Sequence, residues 1–260
     1  MSGDVSMKFE IVTLFPGYFS TVFRQSLLGK ALEKGIFEIT VVDLRNFATD
    51  KHRTADDTPY GGGGGMVLKV EPLDRCLEAL GWPHKAEKRA TPSGHVLVLT
   101  SAAGKPLDQE TAIRYSLCEK LTVVCGHYLG VDERITQLYE FEEVSIGDYV
   151  LTGGEPAAAV IVDATARLIP KVLGNFESAT EDSYMNQRLG YPCYTRPAEY
   201  RGLKAPEVLL SGNHTEIRNY RRTEALQKCL TNRPDLLEKA DLNEEEAALV
   251  ERLSEQRKDV

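Results

Sequence analysis

The sequence predicts an α/β protein whose sheet is mostly parallel and is covered by helices on both faces. Short runs of β-branched and apolar residues alternate with helical patterns through the first half of the chain. Two of these runs, HVLVL at 95–99 and LTVVC at 121–125, are apolar almost throughout, as is usual for strands buried on both faces. Helical patterns between apolar strands favour a parallel sheet over an antiparallel one.

The individual elements follow from local patterns. FEIVTL at 9–14 and FEITVVDL at 37–44 predict strands, because both are rich in β-branched residues. Between them, Pro16 opens a predicted helix that runs to Leu32, with an apolar residue at every fourth position. Further helices are predicted near 72–80, 108–117 and 155–168.

A change of pattern near residue 174 divides the chain. Residues 1–173 form the predicted α/β domain, and 190–260 predict a small helical domain. Residues 174–189 are polar and weakly patterned, which predicts a flexible interdomain linker. In the helical domain, Asn213 is predicted to cap a helix, with Glu216 reaching back from its third position.

Composition places the chain among folded, water-soluble proteins. Of its 260 residues, 42% are apolar and 27% are charged, which is ordinary for a globular protein and unlike a disordered one. No apolar run approaches the roughly 20 residues of a membrane span, and the first residues lack the pattern of a signal peptide. The five cysteines are scattered and odd in number, which argues against a disulfide framework and favours a reducing cytoplasm.

Charge is distributed unevenly along the chain, although the net charge of −8 does not favour a nucleic-acid partner. The segment 188–233 holds nine Lys or Arg residues against four Asp or Glu, whereas 234–260 holds four against nine. The first segment can follow a phosphate backbone, and the second is predicted to be a solvated helix face.

Three stretches contain more glycine and polar residues than an α/β scaffold needs: DDTPYGGGGGM at 56–66, CGHYLGVDER at 125–134 and SIGDYVLTGGE at 145–155. The second directly follows a predicted strand, and parallel sheets bind ligands at the carboxyl ends of their strands. Neither the dinucleotide fingerprint G-x-G-x-x-G nor a Walker A motif is present, so nucleotide phosphates are not the predicted ligand. The stretches predict a cavity that recognises a cofactor through backbone groups, with a flexible linker as the alternative for the five glycines.

Taken together and in this order, the motifs resemble those of the bacterial tRNA (guanine-N1)-methyltransferases, enzymes of the SPOUT type that modify the guanine directly 3′ of the anticodon. The resemblance covers nearly the whole chain. It rests on KFEIVTLFPGYF, KHRTADDTPYGGGGGM, CGHYLGVDER, SIGDYVLTGGE, ARLIPKVLG, EDSY, YTRPAEYRG and PEVLLSGNH. Several of these motifs are long and specific, so their shared order argues against coincidence.

The resemblance implies a trefoil-knotted methyltransferase domain that binds S-adenosylmethionine at the interface of a homodimer, with tRNA as substrate. The residues that it places in the cofactor pocket are Leu99, Thr100, Ser101, Ala102, Gly126, Ser145, Ile146, Gly147, Tyr149, Leu151, Gly153 and Gly154. For Leu99 and Leu151, packing in the core is an equally good interpretation.

The resemblance also implies the chemistry. N1 of guanine carries a proton and is a poor nucleophile until a base removes it, which a carboxylate within hydrogen-bond reach can do. The matching residues are Asp182 in EDSY, as general base, and Arg167 in ARLIPKVLG, whose guanidinium would stabilise negative charge on O6. Without the resemblance, Asp182 would be interpreted as a surface carboxylate and Arg167 as a cation favoured at a helix C-terminus.

The predicted RNA contacts are basic, aromatic and polar side chains, and a guanine in a loop must be splayed out before its N1 edge is reachable. These residues are Tyr60, His127, Arg201, Lys204, Asn213, His214, Arg218, Arg221 and Arg222. A solvated helix face is the alternative for the basic ones. Because the implied base lies in a polar segment, residues 175–188 are expected to be mobile without RNA and to become ordered when tRNA binds.

The chain departs from the family pattern in CGHYLGVDER, where Leu129 replaces a common acidic residue and His127 a common arginine. The acidic residue is associated with the target base or with a divalent ion, so Mg²⁺ stays an open question and no metal ligand is assigned. Asp132 and Glu133 are nearby alternatives, although a salt bridge to Arg134 is the simpler expectation.

Three other functions are weighed against the methyltransferase. A SPOUT enzyme for a different nucleotide is disfavoured by the pair Arg167 and Asp182 together with the helical C-terminal domain. A non-catalytic RNA-binding protein that kept the fold is suggested by Leu129. A dinucleotide-dependent dehydrogenase ranks last, because its fingerprint is missing.

Overall fold

The structure, a computed structural model, describes residues 7–87, 90–173 and 182–258. The chain divides into two compact units, Met1–Gly174 and Asn175–Val260. Residues 174–181 of the predicted linker lie outside the described residues, and with them half of the segment 175–188 that is expected to be mobile. The linker and its mobility therefore stay predictions.

The first unit contains a five-stranded sheet in which every pairing is parallel. In chain order, the strands of this unit are β1 (Lys8–Thr13), β2 (Glu38–Asp43), β3 (Asp56–Asp57), β4 (Val67–Leu68), β5 (His95–Pro106), β6 (Lys120–Cys125) and β7 (Glu142–Ser145). The sheet order is β2-β1-β6-β5-β7, while β3 and β4 form a separate antiparallel pair. The predicted parallel α/β architecture is confirmed, and the trefoil knot stays a prediction.

The helices of the first unit cover both faces of this sheet. They are α1 (Phe19–Val22), α2 (Ser26–Glu33), α3 (Val70–Ala79), α4 (Gln109–Ser116), α5 (Arg134–Leu138) and α6 (Glu155–Ala166). Because side chains alternate along a strand, neighbouring residues of β1 enter different cores. Phe9 and Ile11 pack in the core that contains α4 and α6, whereas Val12 packs in the core that contains α3 and α5.

The single helix predicted from Pro16 to Leu32 is wrong. A 3-10 turn at Pro16–Tyr18 leads into α1, and the chain turns again before α2, where Ser26 has a φ of 57°. A Cβ at Gly29 would overlap the backbone of Arg24, so this glycine lets α2 pack against the preceding turn. The fourfold spacing of apolar residues therefore arises from two packed segments rather than from one helix.

The second unit is mostly helical, in line with the prediction. A hairpin of β8 (Glu199–Tyr200) and β9 (Leu203–Lys204) precedes helices α7 (Glu207–Leu210), α8 (His214–Asn232), α9 (Pro234–Lys239) and α10 (Glu244–Lys258). No helix in the described parts of the chain is both long and apolar enough to span a membrane.

Asn213 caps α8 as predicted, because its side chain accepts hydrogen bonds from the backbone N–H groups of Thr215 and Glu216. The reciprocal bond predicted from Glu216 is wrong. The backbone N–H of Asn213 instead donates to Oγ of Ser211 over 3.0 Å.

Candidate active site

A cavity of about 470 Å³ lies at the carboxyl ends of β5, β6 and β7. We call it the first cavity. All the residues predicted for the cofactor pocket line it: Leu99, Thr100, Ser101, Ala102, Gly126, Ser145, Ile146, Gly147, Tyr149, Leu151, Gly153 and Gly154. Its volume falls within the range of small-molecule sites, and its position is the one at which parallel sheets bind ligands.

An irregularity in β5 forms one wall of the first cavity. The strand is predicted to end at Leu99, but it continues to Pro106 with a shift of register against β7 between Thr100 and Lys105. Ser101, Ala102 and Ala103, which lie within this shift, line the cavity. The bulge therefore places three small residues beside the space that a ligand would fill.

Close approach of two backbones forms the floor. The N–H of Gly154 donates to the carbonyl of Gly126 over 2.6 Å, and the N–H of Gly126 donates to Oγ1 of Thr100 over 3.0 Å. A Cβ at Gly154 would overlap Oγ1 of Thr100, and a Cβ at Gly153 would overlap the side chains of His127 and Glu155. Both glycines are needed because no side chain fits at this crossing.

Ser145–Leu151 forms the third wall through a tight turn. Gly147 has a φ of 146°, and its N–H donates to Oγ of Ser145 over 3.2 Å. The hydroxyl of Tyr149 donates to the carbonyl of Ile146 over 3.0 Å, which fixes its ring beside the cavity. Leu99 is buried in the core and also lines the cavity, and its contact with a cofactor stays a prediction. Core packing, the alternative for Leu151, is wrong, because this side chain is 40% exposed.

The glycine run is an ordered loop rather than a linker. The antiparallel pair of β3 and β4 closes it, and the φ angles of Gly61, Gly62, Gly63 and Gly65 are all positive. Gly65 lies against the side chain of Leu129, which lines the first cavity. The loop thus borders the cavity, with an apolar residue at the place of the usual family carboxylate.

His127 and Glu155 form a buried polar pair in the same region. Nδ1 of His127 lies 3.4 Å from Oε2 of Glu155, and their side chains are 15% and 6% exposed. The hydroxyl of Thr13 donates to the other carboxylate oxygen over 2.7 Å and accepts a hydrogen bond from the N–H of Phe15. The ring of Phe15 lies 4.7 Å from that of His127, so two segments that are distant in sequence, residues 13–15 and the start of α6, hold this imidazole.

Several ionisable side chains lie near Leu129, which stands where the family commonly has an acidic residue. Asp132 is bonded to Arg134 over 2.7 Å, and this hydrogen bond lowers the pKa of Asp132, as the simpler expectation has it. Burial, together with the charge of Glu155, raises the pKa of the Cys125 thiol, so this cysteine is not a nucleophile at neutral pH. Glu133 and Glu143 do line the cavity.

One cluster within the described residues has a spacing suited to a metal ion: Asp74, Glu78 and His84. None of the three lines the first cavity. Nε2 of His84 is 2.8 Å from both Asp74 and the hydroxyl of Tyr139, so hydrogen bonds already account for the arrangement. This cluster therefore does not bear on the first cavity, and Mg²⁺ stays an open question.

The two residues implied in chemistry lie in different units. Arg167 follows α6 as its C-terminal cap in the first unit, and it is not among the described residues that line the first cavity. Asp182 belongs to the second unit, where it lines a second cavity of about 230 Å³. Arg188, Arg218, Arg221 and Arg222 line that second cavity as well, which makes it strongly basic.

The other predicted RNA contacts are spread over the surface. Tyr60 is 98% exposed beside the glycine loop. Arg201 and Lys204 lie in the hairpin of β8 and β9, where the guanidinium of Arg201 stacks 5.3 Å from the Tyr200 ring and Lys204 is 3.9 Å from Glu199. Asn213 and His214 begin α8, and the amide oxygen of Asn213 is already used in capping.

A buried ion pair stabilises the second cavity. Arg188 donates to both carboxylate oxygens of Glu246 over 2.6 and 3.0 Å, and Glu246 is 5% exposed. Burial alone would raise the pKa of Glu246, but the hydrogen bonds from Arg188 and from the backbone of Asn243 outweigh it and hold the pKa below its ordinary value of 4.5. The pair joins the segment that follows Asp182 to α10.

We expect Arg188→Met to lower the free energy of unfolding of the second unit by about 2 kcal/mol, because it leaves the buried carboxylate without its partner. Arg233→Met is the matched control, since it removes an exposed pair with Asp235 in the same unit and should cost less than about 1 kcal/mol. Urea unfolding followed by far-UV circular dichroism measures the helices. Fluorescence of Trp82, the one tryptophan, reports the first unit and should not change.

The sign of the pH dependence follows from the lowered pKa of Glu246. Its contribution to stability is complete above the ordinary value of 4.5 and is lost as pH falls through the lower pKa of the folded state. The difference between wild type and Arg188→Met should therefore be full at neutral pH and shrink in acid. Equal losses for Arg188→Met and Arg233→Met would contradict the prediction.

Sequence reasoning missed several residues of the first cavity. Tyr128, Gly130, Val131 and Thr136 line it beside the predicted ones. Three of these lie within CGHYLGVDER, so the motif as a whole was the available signal. Thr136 belongs to α5, a five-residue helix that carries no periodic pattern long enough to detect.

Comparisons with known proteins identify the family of the chain. The family model described as tRNA (Guanine-1)-methyltransferase TrmD matches residues 7–239. Similar proteins, each named tRNA (guanine-N(1)-)-methyltransferase, include one from Geobacter metallireducens, 48% identical over 96% of this chain and 98% of its own. Another, from Limosilactobacillus fermentum, is 47% identical over 95% and 96%, and one from Brevibacillus brevis is 48% identical over 97% and 100%. Matches of this extent show that the chain belongs to the tRNA (guanine-1)-methyltransferase family TrmD, as its motifs predict.

Proposed function

We propose that the protein transfers a methyl group from S-adenosylmethionine to N1 of the guanine directly 3′ of the anticodon in tRNA. The observation that carries the proposal is the first cavity. Its walls come from β5, from the loop after β6 and from the loop after β7, which include the segments that the family motifs single out. The reaction type is inferred from family membership, and the first cavity has a size suited to binding a small-molecule cofactor.

The first cavity suits S-adenosylmethionine because backbone groups and small side chains dominate its walls. Gly153 and Gly154 line it without side chains, and a Cβ at either position would displace neighbouring protein atoms, so the floor of the cavity consists of tightly packed backbone. When bound, this cofactor supplies the methyl group on a sulfonium. The chain's part is to hold it so that the methyl lies in line with N1.

The chain's own residues would move one proton and stabilise one developing charge. The carboxylate of Asp182 takes the proton from N1, and the guanidinium of Arg167 stabilises the charge that develops on O6. His127, on the wall of the first cavity, is a further candidate contact for the base. Support for the first two roles comes from the family motifs EDSY and ARLIPKVLG.

The second unit is the proposed RNA-binding domain. Arg218, Arg221 and Arg222 line its basic cavity, and Arg201 and Lys204 extend the positive charge along the hairpin. The pair of Lys204 with Glu199 is largely exposed, so exchanging this carboxylate for a phosphate costs little.

A second copy of the chain is the proposed partner in the active site. Tyr149, Val150 and Leu151 line the first cavity and are nevertheless 56%, 98% and 40% exposed. Apolar side chains in such a position are usual where another surface covers them. The proposed site of action is the cytoplasm, where the five free cysteines would stay reduced.

The test is methyl transfer from labelled S-adenosylmethionine to a pair of tRNA transcripts that differ only in the base 3′ of the anticodon, guanine in one and adenine in the other. We expect label in the guanine transcript alone, at N1 of that base by mass spectrometry of the nucleosides. Equal labelling of both transcripts would point to a different target nucleotide. Cofactor binding without transfer to any tRNA would favour a non-catalytic RNA-binding protein.

A further inference from the structure

Glu155 is unusually buried for a charged side chain. It is the first residue of α6, it is 4% exposed, and it faces the region between β1 and the loop after β6. A buried carboxylate is costly unless it is hydrogen-bonded and paired. Family chemistry assigns the reaction to other residues, so the reason for this carboxylate must lie in what it contacts.

One carboxylate oxygen of Glu155 is fully accounted for. The hydroxyl of Thr13 donates to Oε1 over 2.7 Å, while the N–H of Phe15 donates to that hydroxyl over 2.9 Å. Since the single hydroxyl proton is used toward Glu155, this chain of bonds has one direction only. It fixes the carboxylate and leaves Oε2 facing His127.

The contact between Oε2 and Nδ1 of His127 is close but incomplete. The two atoms are 3.4 Å apart, and Nδ1 is buried without a hydrogen-bond partner among the described residues. Such an atom carries a desolvation cost until its bond is made. Hydrogen bonds of catalytic groups are often long in the absence of substrate and become shorter when it binds.

The imidazole has little freedom apart from this contact. The rings of Phe15 and Tyr128 lie 4.7 and 4.3 Å from it, and Gly153 leaves no room for a Cβ beside Nδ1. His127 nevertheless lines the first cavity with 15% of its side chain exposed. Because Nδ1 is buried, the exposed part belongs to the rest of the ring.

We propose that Glu155 is a positioning residue that acts through His127. A carboxylate can only accept, so Nδ1 must carry the hydrogen that completes the contact, and Nε2 is left to bond the target base. The proposal rests on the proposed function, because it assigns this Nε2 to the guanine that receives the methyl group from the cofactor in the first cavity. Substrate binding shortens the contact and holds the base for transfer.

The test is a double-mutant cycle on kcat/KM for tRNA at saturating S-adenosylmethionine. Glu155→Gln removes the charge, His127→Asn keeps a donor near Nδ1 but lacks Nε2, and His127→Gln keeps a donor near Nε2 but lacks Nδ1. We expect Glu155→Gln and His127→Asn each to lower kcat/KM by about tenfold, with the affinity for S-adenosylmethionine unchanged. In the His127→Gln background, Glu155→Gln should have no further effect.

Glu71→Gln is the matched control, because Glu71 is a first-turn glutamate of α3 that is exposed and does not line the first cavity. It should leave kcat/KM unchanged. An equal loss from Glu155→Gln in both backgrounds, or a lowered melting temperature without any change in kcat/KM, would overturn the positioning role. A wild-type protein that transfers no methyl group would instead overturn the proposed function, so the two failures can be distinguished.

Discussion

Asp182→Asn is expected to lower the rate of methyl transfer to tRNA by about 10²–10⁴-fold, the contribution typical of a positioned general base. Asparagine keeps the size and the hydrogen-bonding oxygen of the side chain but cannot take the proton of guanine N1. Single-turnover transfer at saturating tRNA measures the effect on chemistry. Titration calorimetry with S-adenosylmethionine should give an unchanged affinity, because Asp182 belongs to the second unit and the first cavity does not include it.

Asp235→Asn is the matched control for Asp182→Asn. It makes the same chemical change in the same unit, at an exposed carboxylate that pairs with Arg233 over 2.8 Å. Its transfer rate should stay within about twofold of wild type, since exposed pairs contribute little. A transfer rate for Asp182→Asn equal to that of the control would show that another group removes the proton.

Gly154→Ala is expected to have the second large effect, a loss of about 100-fold in methyl transfer. The added methyl group would overlap Oγ1 of Thr100 and lie 2.9 Å from the N–H of Gly126, so the crossing that forms the floor of the first cavity must open. Such overpacking also lowers stability by about 1–3 kcal/mol. Calorimetry should show weaker binding of S-adenosylmethionine, and a thermal melt verifies that the variant is folded.

Gly17→Ala controls for the exchange of glycine by alanine, because no atom lies within 4 Å of a Cβ at that exposed position. If a folded Gly154→Ala protein binds S-adenosylmethionine with wild-type affinity, the assignment of the cofactor to this cavity is wrong.

Gly154→Ala and Asp182→Asn together also test the proposed dimer. If each site combines the first cavity of one subunit with Asp182 of the other, a mixture of Gly154→Ala and Asp182→Asn should recover about a quarter of wild-type activity, whereas sites built from one subunit recover none.

The fold could be predicted where a local pattern also decides the packing. The strands at 95–99 and 121–125 are apolar on both faces and are therefore central in any parallel sheet, which is where β5 and β6 lie. The extension of β5 beyond Leu99 could not be predicted, because Ser101–Gly104 are small or polar and lie in a register shift, and only Lys105 and Pro106 pair with β7 again. Pairs as short as β8 and β9 likewise have no pattern of their own.

In the candidate site, too, residues with a local sequence signal could be predicted, and residues that depend on contacts distant in sequence could not. Glycines at the ends of strands predicted a cavity lined by backbone, and the structure brings those stretches to one place. Glu155 was not identified, because a glutamate in the first turn of a helix is common and its burial depends on Thr13 and His127, which are distant in sequence. The roles of Asp182 and Arg167 came from the resemblance alone and stay predictions, since residue type and local pattern fit surface charges equally well.

The position of β1 inside the sheet has a consequence for synthesis on the ribosome. One neighbour of β1, the strand β2, is synthesised soon after it. The other neighbour, β6, is synthesised much later: Thr122, which donates a hydrogen bond to Glu10, lies 112 residues further along the chain. At about 5–20 residues per second, roughly 6–22 seconds of translation separate the two. During that interval one edge of β1 is unpaired and the apolar side chains of Phe9 and Ile11 lack part of their core, and both conditions favour aggregation of a nascent chain.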